Sequence, residues 1–216
     1  MHRAMSGFVV LAFLVGSGCQ HAAPTPTSKA APGDAEQPAA APTKPEDPRI
    51  EGIRARYQQI QADPGLMQSE FDLACKGGEG SGKVRLFENK GAIHKAELRV
   101  IPPGHGEDSY QFYYDQREVV FALYDMRNWA FTGGGTPEKP ATQDSAIQTR
   151  YYYHDGDSIR CIKKKVAGPT DKIDSLLDQA PTAPDDCSKA GKVQKLASLA
   201  RLGPRAKDEL TELICP

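Results

Sequence analysis

The chain has 216 residues, with 27 Lys and Arg against 28 Asp and Glu and a formal net charge of −1. That balance, with no basic stripe, excludes nucleic acid as a partner and leaves the Lys163–Lys165 run as a solvated strand end. None of the five cysteines stands in a C-x-x-C pair, which disfavours zinc and dithiol redox chemistry.

A basic start, His2 and Arg3, leads into the apolar run Phe8–Val15, which is too short to span a bilayer and matches the core of a secretion signal. The sequence "LVGSGC" that follows resembles the lipobox of bacterial lipoproteins. Ser17, Gly18 and Cys19 lie on the motif, and Gly16 stands where that family usually has Leu, Val or Ile. The resemblance implies a signal peptide over residues 1–18, cleavage by signal peptidase II, diacylation of the Cys19 thiol and acylation of the new amino terminus. It makes a lipid bilayer the first partner. Three acyl chains at about 0.8 kcal/mol per buried CH₂ would hold permanently. Gln20, in place of Asp, favours the outer membrane by the same family analogy, with the protein facing the periplasm or the cell surface.

Residues 19–48 are nearly all Ala, Pro, Thr and small polar side chains. Such a segment buries too little to offset its conformational entropy and is expected to form an extended tether. Residues 49–216 have the length of a single domain.

The domain begins with Ile50, Ile53, Tyr57 and Ile60 at helical spacing, ended by Asp63-Pro64-Gly65. From Glu70 the period changes to two. Seven runs from Phe71 to Lys165 read as strands, separated by turn-forming clusters and by a long Gly/Pro-rich stretch after Trp129. "FYYDQREVVFAL" from Phe112 and "YYYHDGDSIRCI" from Tyr151 align without a gap, and "VRLFENKGAIHKA" from Val84 is a looser third instance. His154 takes the place of Asp115, so "YYYHDGDSIR" reads as a repeated hairpin with an Asp155-Gly156 bend. The pattern over Val84–Lys165 is similar to a group of bacterial envelope lipoproteins with "YYxDG" followed by "IR" on paired strands, a resemblance that implies no activity.

The last part reads as a helical hairpin. Asp185 or Asp186 caps the first helix and Gly203 ends it; Pro204 opens the second. The four cysteines after Cys19 allow three connectivities. Antiparallel helices favour Cys187–Cys215, which leaves Cys75–Cys161 across the sheet. The expected fold class is therefore α+β: an antiparallel β-meander of about seven strands, as a curved sheet or half-barrel. A helix precedes it, and a disulfide-linked helical hairpin follows.

Candidate chemistry is sparse. "GGEGSGKV" satisfies part of a phosphate-binding loop, but Val84 replaces the magnesium-binding hydroxyl and a strand follows instead of a helix. His94, His105 and His154 come from separate segments without metal-ligand spacing. No catalytic residue, metal or cofactor is assigned. Tyr110, Phe112 and Tyr114 share one strand face, as do Tyr151 and Tyr153, with Tyr113 and Tyr152 opposite. One face of these strands reads as core, with the remaining tyrosines pairing across strands; tyrosines outside the core would instead make a ligand surface of Tyr110, Tyr114, Tyr151, Tyr153 and His154.

The expected function is that of a membrane-anchored envelope lipoprotein whose domain binds or scaffolds without catalysis. An envelope protein, a glycan or an apolar ligand are the candidate partners. The alternatives are a secreted hydrolase using His154 and nearby carboxylates, or a periplasmic inhibitor resembling the lysozyme inhibitors, whose anchor and early cysteine (here Cys75) it shares.

Overall fold

Alternating side chains separated by tight bends give a meander in which each strand pairs with the next in sequence. The structure, a computed structural model, describes residues 46–216 apart from 79, 105, 137, 139 and 216. Cys19, the lipobox, nearly all of the expected tether and His105 lie outside the described residues. Eight strands pair antiparallel in chain order: β1 (Met67–Ala74), β2 (Ser81–Asn89), β3 (Ala92–Ile101), β4 (Gly106–Asp115), β5 (Glu118–Gly135), β6 (Pro140–His154), β7 (Asp157–Pro169) and β8 (Ala183–Pro184). The helices are α1 (Pro48–Gln61), α2 (Ile173–Gln179), α3 (Ala190–Leu202) and α4 (Lys207–Ile214). No helix among the described residues is long and apolar enough to cross a membrane.

The helices cover both faces of the sheet. On the first face Leu86, Ala96, Phe112, Ala122 and Tyr151 follow one another across neighbouring strands and pack under α3 and α4. Phe112 and Leu98 are fully buried there, each contributing roughly 1.5–3 kcal/mol through burial alone. On the second face α1 lays Ile50, Ile53 and Ile60 against Tyr113, Phe121 and Tyr152. Asp47 starts α1 by accepting the Arg49 backbone N–H, and Pro48 sits at the first helical position, where no donor is needed.

Three of the turns are one device. Lys90–Gly91, Gln116–Arg117 and Asp155–Gly156 each have positive φ at both central residues, the geometry whose twist matches the strands it joins. Each hairpin then slips register at the same place, at Phe87/Glu88, Tyr113/Tyr114 and Tyr152/Tyr153. The slip leaves His94, Val120 and Ile159 as the extra residues of the return strands, a β-bulge that bends and twists the sheet. The looser third copy in the sequence is thus the equal of the other two. Val120 and Ile159 pack into the α1 cluster, and Arg56 Nη2 of α1 donates to His94 Nδ1 at 3.0 Å. α1 therefore lies across the row of bulges.

Three expectations need correction. The disulfides are Cys75–Cys215 and Cys161–Cys187, in place of Cys187–Cys215 and Cys75–Cys161. Cys187 precedes the first turn of α3, on a segment held along β7 by Asp185 N–H donating to the Cys161 carbonyl at 2.9 Å. It therefore meets the sheet and not the neighbouring helix. α4 ends against β1, with Ile214 over Gly82 and Leu73, so Cys215 reaches Cys75. Second, the Gly/Pro-rich stretch after Trp129 is strand: β5 runs to Gly135 and β6 resumes at Pro140, with the register broken between Phe131 and Gly135. Third, β8 and α2 come in addition to the expected elements. α2 buries Ile173 and Leu177 against Ala146.

Candidate functional site

The tyrosines of the expected ligand surface are interior. Tyr114, Tyr151 and Tyr153 are each 1% exposed and Tyr110 is 9% exposed. The sheet has a helical layer on each face at this end, so neither side of the aromatic strands is left to solvent. Their hydroxyls serve packing. Tyr114 donates to the Ala197 carbonyl at 2.7 Å and Tyr153 to the Ala190 carbonyl at 2.9 Å, which fixes α3 over the sheet. Burial pushes both phenols well above the ordinary tyrosine range. His154 sits apart on the hairpin end, half exposed and 3.4 Å from Asp155. Among the described residues no three His, Cys, Asp or Glu side chains gather as metal ligands. Gly77, Gly78 and Gly80 of the phosphate-loop-like stretch form the β1–β2 bend, and Val84 beyond them is core.

What remains open is the rest of the second face. The row Phe87, Lys95, Tyr113, Phe121, Tyr152 and Arg160 crosses six strands, and α1 covers its middle at Tyr113, Phe121 and Tyr152. Two residues further along each strand, the next row reads Glu70, Arg85, Glu97, Gln111, Leu123 and Arg150. The row after it reads Asp72, Lys83, Arg99, Ser109, Asp125 and Gln148. The switch from aromatic to polar rows marks the edge of α1.

These rows floor a continuous groove. A cleft of about 680 Å³ over β1–β4 shares Glu107, Ser109 and Gln111 with one of about 220 Å³ over β4–β6. That second cleft shares Leu123 and Gln148 with a third, of about 330 Å³, beside α1. With strands about 4.8 Å apart, a groove from β2 to β6 is roughly 20 Å long, the span of an extended chain of about six residues.

No protein-family model, curated protein or solved structure matches this chain. The site must therefore speak through its chemistry. Over β1–β5 its charges are engaged with one another. Arg99 grips Glu107 through two bonds of 2.7 and 2.5 Å, and Lys83 lies 3.0 Å from Glu70 and 3.4 Å from Asp72. Glu97 meets Lys95 at 2.7 Å, and Arg127 links Asp125 to Asp174 of α2 at 2.9 and 2.6 Å. The bonds to Glu107 and Asp125 hold the Arg99 and Arg127 guanidinium groups above their ordinary range. Carboxylates and cations paired this way form a floor of fixed acceptors and donors.

The cleft beside α1 differs. Arg54, Tyr57 and Gln58 come from α1; Phe121, Leu123, Gln148, Arg150 and Tyr152 come from β5 and β6. No carboxylate among the described residues lines it. Among the described residues Arg150 donates only to Gln148 Oε1, at 3.2 Å. Arg54 is taken up by Glu46, at 2.5 Å. Gln148 and Arg150 did not stand out in the sequence, because an outward polar residue on an alternating strand looks the same whether it floors a groove or faces bulk water. The one signal was that polar residues persist at the outward position of strand after strand.

Proposed function

We propose that this is a lipid-anchored protein of the bacterial envelope whose folded domain binds an extended polar chain, without catalysis, in the groove on its second face. The single observation that carries the binding reading is the continuous groove, about 20 Å long, floored by two rows of side chains that are polar at every position but Leu123. The short neutral residues Ser109 and Gln111 lie between its charged groups and present hydrogen-bonding atoms to a chain laid across the strands. The lipobox-like sequence ending at Cys19 supports the placement, and the Ala/Pro-rich segment after it would serve as the spacer.

Two measurements test this. Labelling cells with a palmitate analogue marks the wild-type protein, and Cys19→Ala abolishes the label. A wild-type protein that takes up no label, or a Cys19→Ala protein that keeps it, would refute the anchor. For binding, full-length protein in detergent is titrated with solubilised cell-wall fragments, glycan and peptide separately. Ser109→Trp, which fills the groove floor, is expected to remove the interaction while the melting temperature holds. Equal binding by wild type and Ser109→Trp would refute the groove.

A further inference from the structure

The end of the groove beside α1 has a chemistry of its own. Ile53, Phe121 and Leu123 give it an apolar wall, and Arg150 stands at that wall as a cation with no carboxylate partner among the described residues. An unpaired guanidinium beside apolar surface is complementary to an anion that carries an apolar side chain. The aromatic rings here are already committed to each other. Tyr57 meets Tyr113 edge-on at 4.7 Å and Phe121 at 5.4 Å, and Phe121 and Tyr152 are buried, so they offer little open ring face on which a sugar could stack. Gln148 spends its side-chain oxygen on Arg150, so its amide N–H groups are left to the groove. Beyond it, Gln111 and Ser109 continue the polar floor away from the cleft.

We propose that the cleft receives the carboxylate terminus of an extended peptide, its last apolar side chain against Phe121 and Leu123 and its carboxylate on Arg150. The preceding peptide groups run outward over Gln148, Gln111 and Ser109. The cleft volume of about 330 Å³ suits one terminal residue and not a longer folded end. This assignment rests on the groove being the binding surface.

The test uses full-length protein in detergent micelles and two dye-labelled pools of random hexapeptides ending in Leu, one with a free carboxylate and one with a carboxamide, read by fluorescence anisotropy. The carboxylate pool is expected to bind at least about tenfold more tightly, the factor a charge-assisted hydrogen bond supplies. Arg150→Gln is expected to erase the difference while the melting temperature stays close to wild type; Arg150→Lys keeps part of it. Equal binding of the two pools overturns the assignment, as does a preference that survives Arg150→Gln. If both pools bind equally and Ser109→Trp weakens both, the groove remains the binding surface and only the carboxylate assignment fails. If neither pool binds, while chitotetraose does and Ser109→Trp removes it, the peptide assignment fails in favour of a glycan groove. If nothing binds, both readings fall.

Discussion

Removing Cys75–Cys215 tests the corrected disulfide pattern most sharply. The segment from Cys187 to Cys215 carries α3 and α4 across the first face, and each of its ends is bonded to the sheet: to β7 through Cys161 and to the end of β1 through Cys75. The two links close loops of very different size, with sequence separations of 140 and 26 residues. The chain-entropy relation gives about 5 kcal/mol for the larger loop and about 3.5 kcal/mol for the smaller at room temperature. A domain of this size has a total stability of roughly 5–15 kcal/mol, so losing the larger loop consumes a third of it or more. Cys75→Ala with Cys215→Ala is thus expected to lower the urea midpoint further than Cys161→Ala with Cys187→Ala. Equilibrium unfolding followed by far-UV circular dichroism reads the order, and proteolysis of the unreduced wild type with mass spectrometry reads the pairing. A peptide pair joining Cys187 to Cys215 would refute the account of how α3 and α4 meet the sheet. A larger loss from the 26-residue loop would refute the entropic reasoning.

Other perturbations give separate checks. Arg117 sits at φ 78 in a turn where its counterparts in the other two hairpins are Gly91 and Gly156, so Arg117→Gly should stabilise by about 1 kcal/mol in the same unfolding assay. Tyr114→Phe removes the bond to the Ala197 carbonyl and should cost about 1 kcal/mol with no change of fold. Burial raises the phenols of Tyr110, Tyr113, Tyr114, Tyr124 and Tyr153. Raised folded values mean that the folded state keeps protons the unfolded chain releases, so stability is full below about pH 10 and falls as pH rises beyond it. Tyrosinate absorbance should therefore grow together with loss of circular dichroism; tyrosinate formed in a still-folded protein would contradict the burial. At the acid end, Arg49 holds the Asp47 carboxyl down to about 2 from 3.8, so the α1 cap persists above pH 4 and is lost as pH falls toward 2. Asp47→Asn should flatten that acid transition.

The fold was legible where local signals act alone. Period-two runs located seven strands. The gapless match of Phe112–Leu123 to Tyr151–Ile162 located twin hairpins whose bulges coincide. It was illegible where a distant segment decides. Nothing near Tyr151 says that α3 covers one of its strand's faces and α1 the other, so tyrosines that alternate on a strand were readable as surface. The cysteine pairing failed for the same reason: a hydrogen bond from Asp185 to Cys161 holds the approach to α3 on β7, and no spacing in the sequence encodes it. Arg150 was invisible because its distinction is that no acid among the described residues pairs with it, which only the three-dimensional neighbourhood reveals.

The Cys75–Cys215 bond also sets a mechanical route through the molecule. Residues 76–214 lie inside a covalently closed loop, so a pull applied between the two chain ends bypasses them and passes from Cys75 directly to Cys215. Among the described elements, α1 and β1 lie before Cys75 and outside that loop, so they can be drawn out under load. Once they have yielded, the cross-link carries the force, with β2 through α4 slack behind it. Reduction of that one bond would release the remainder.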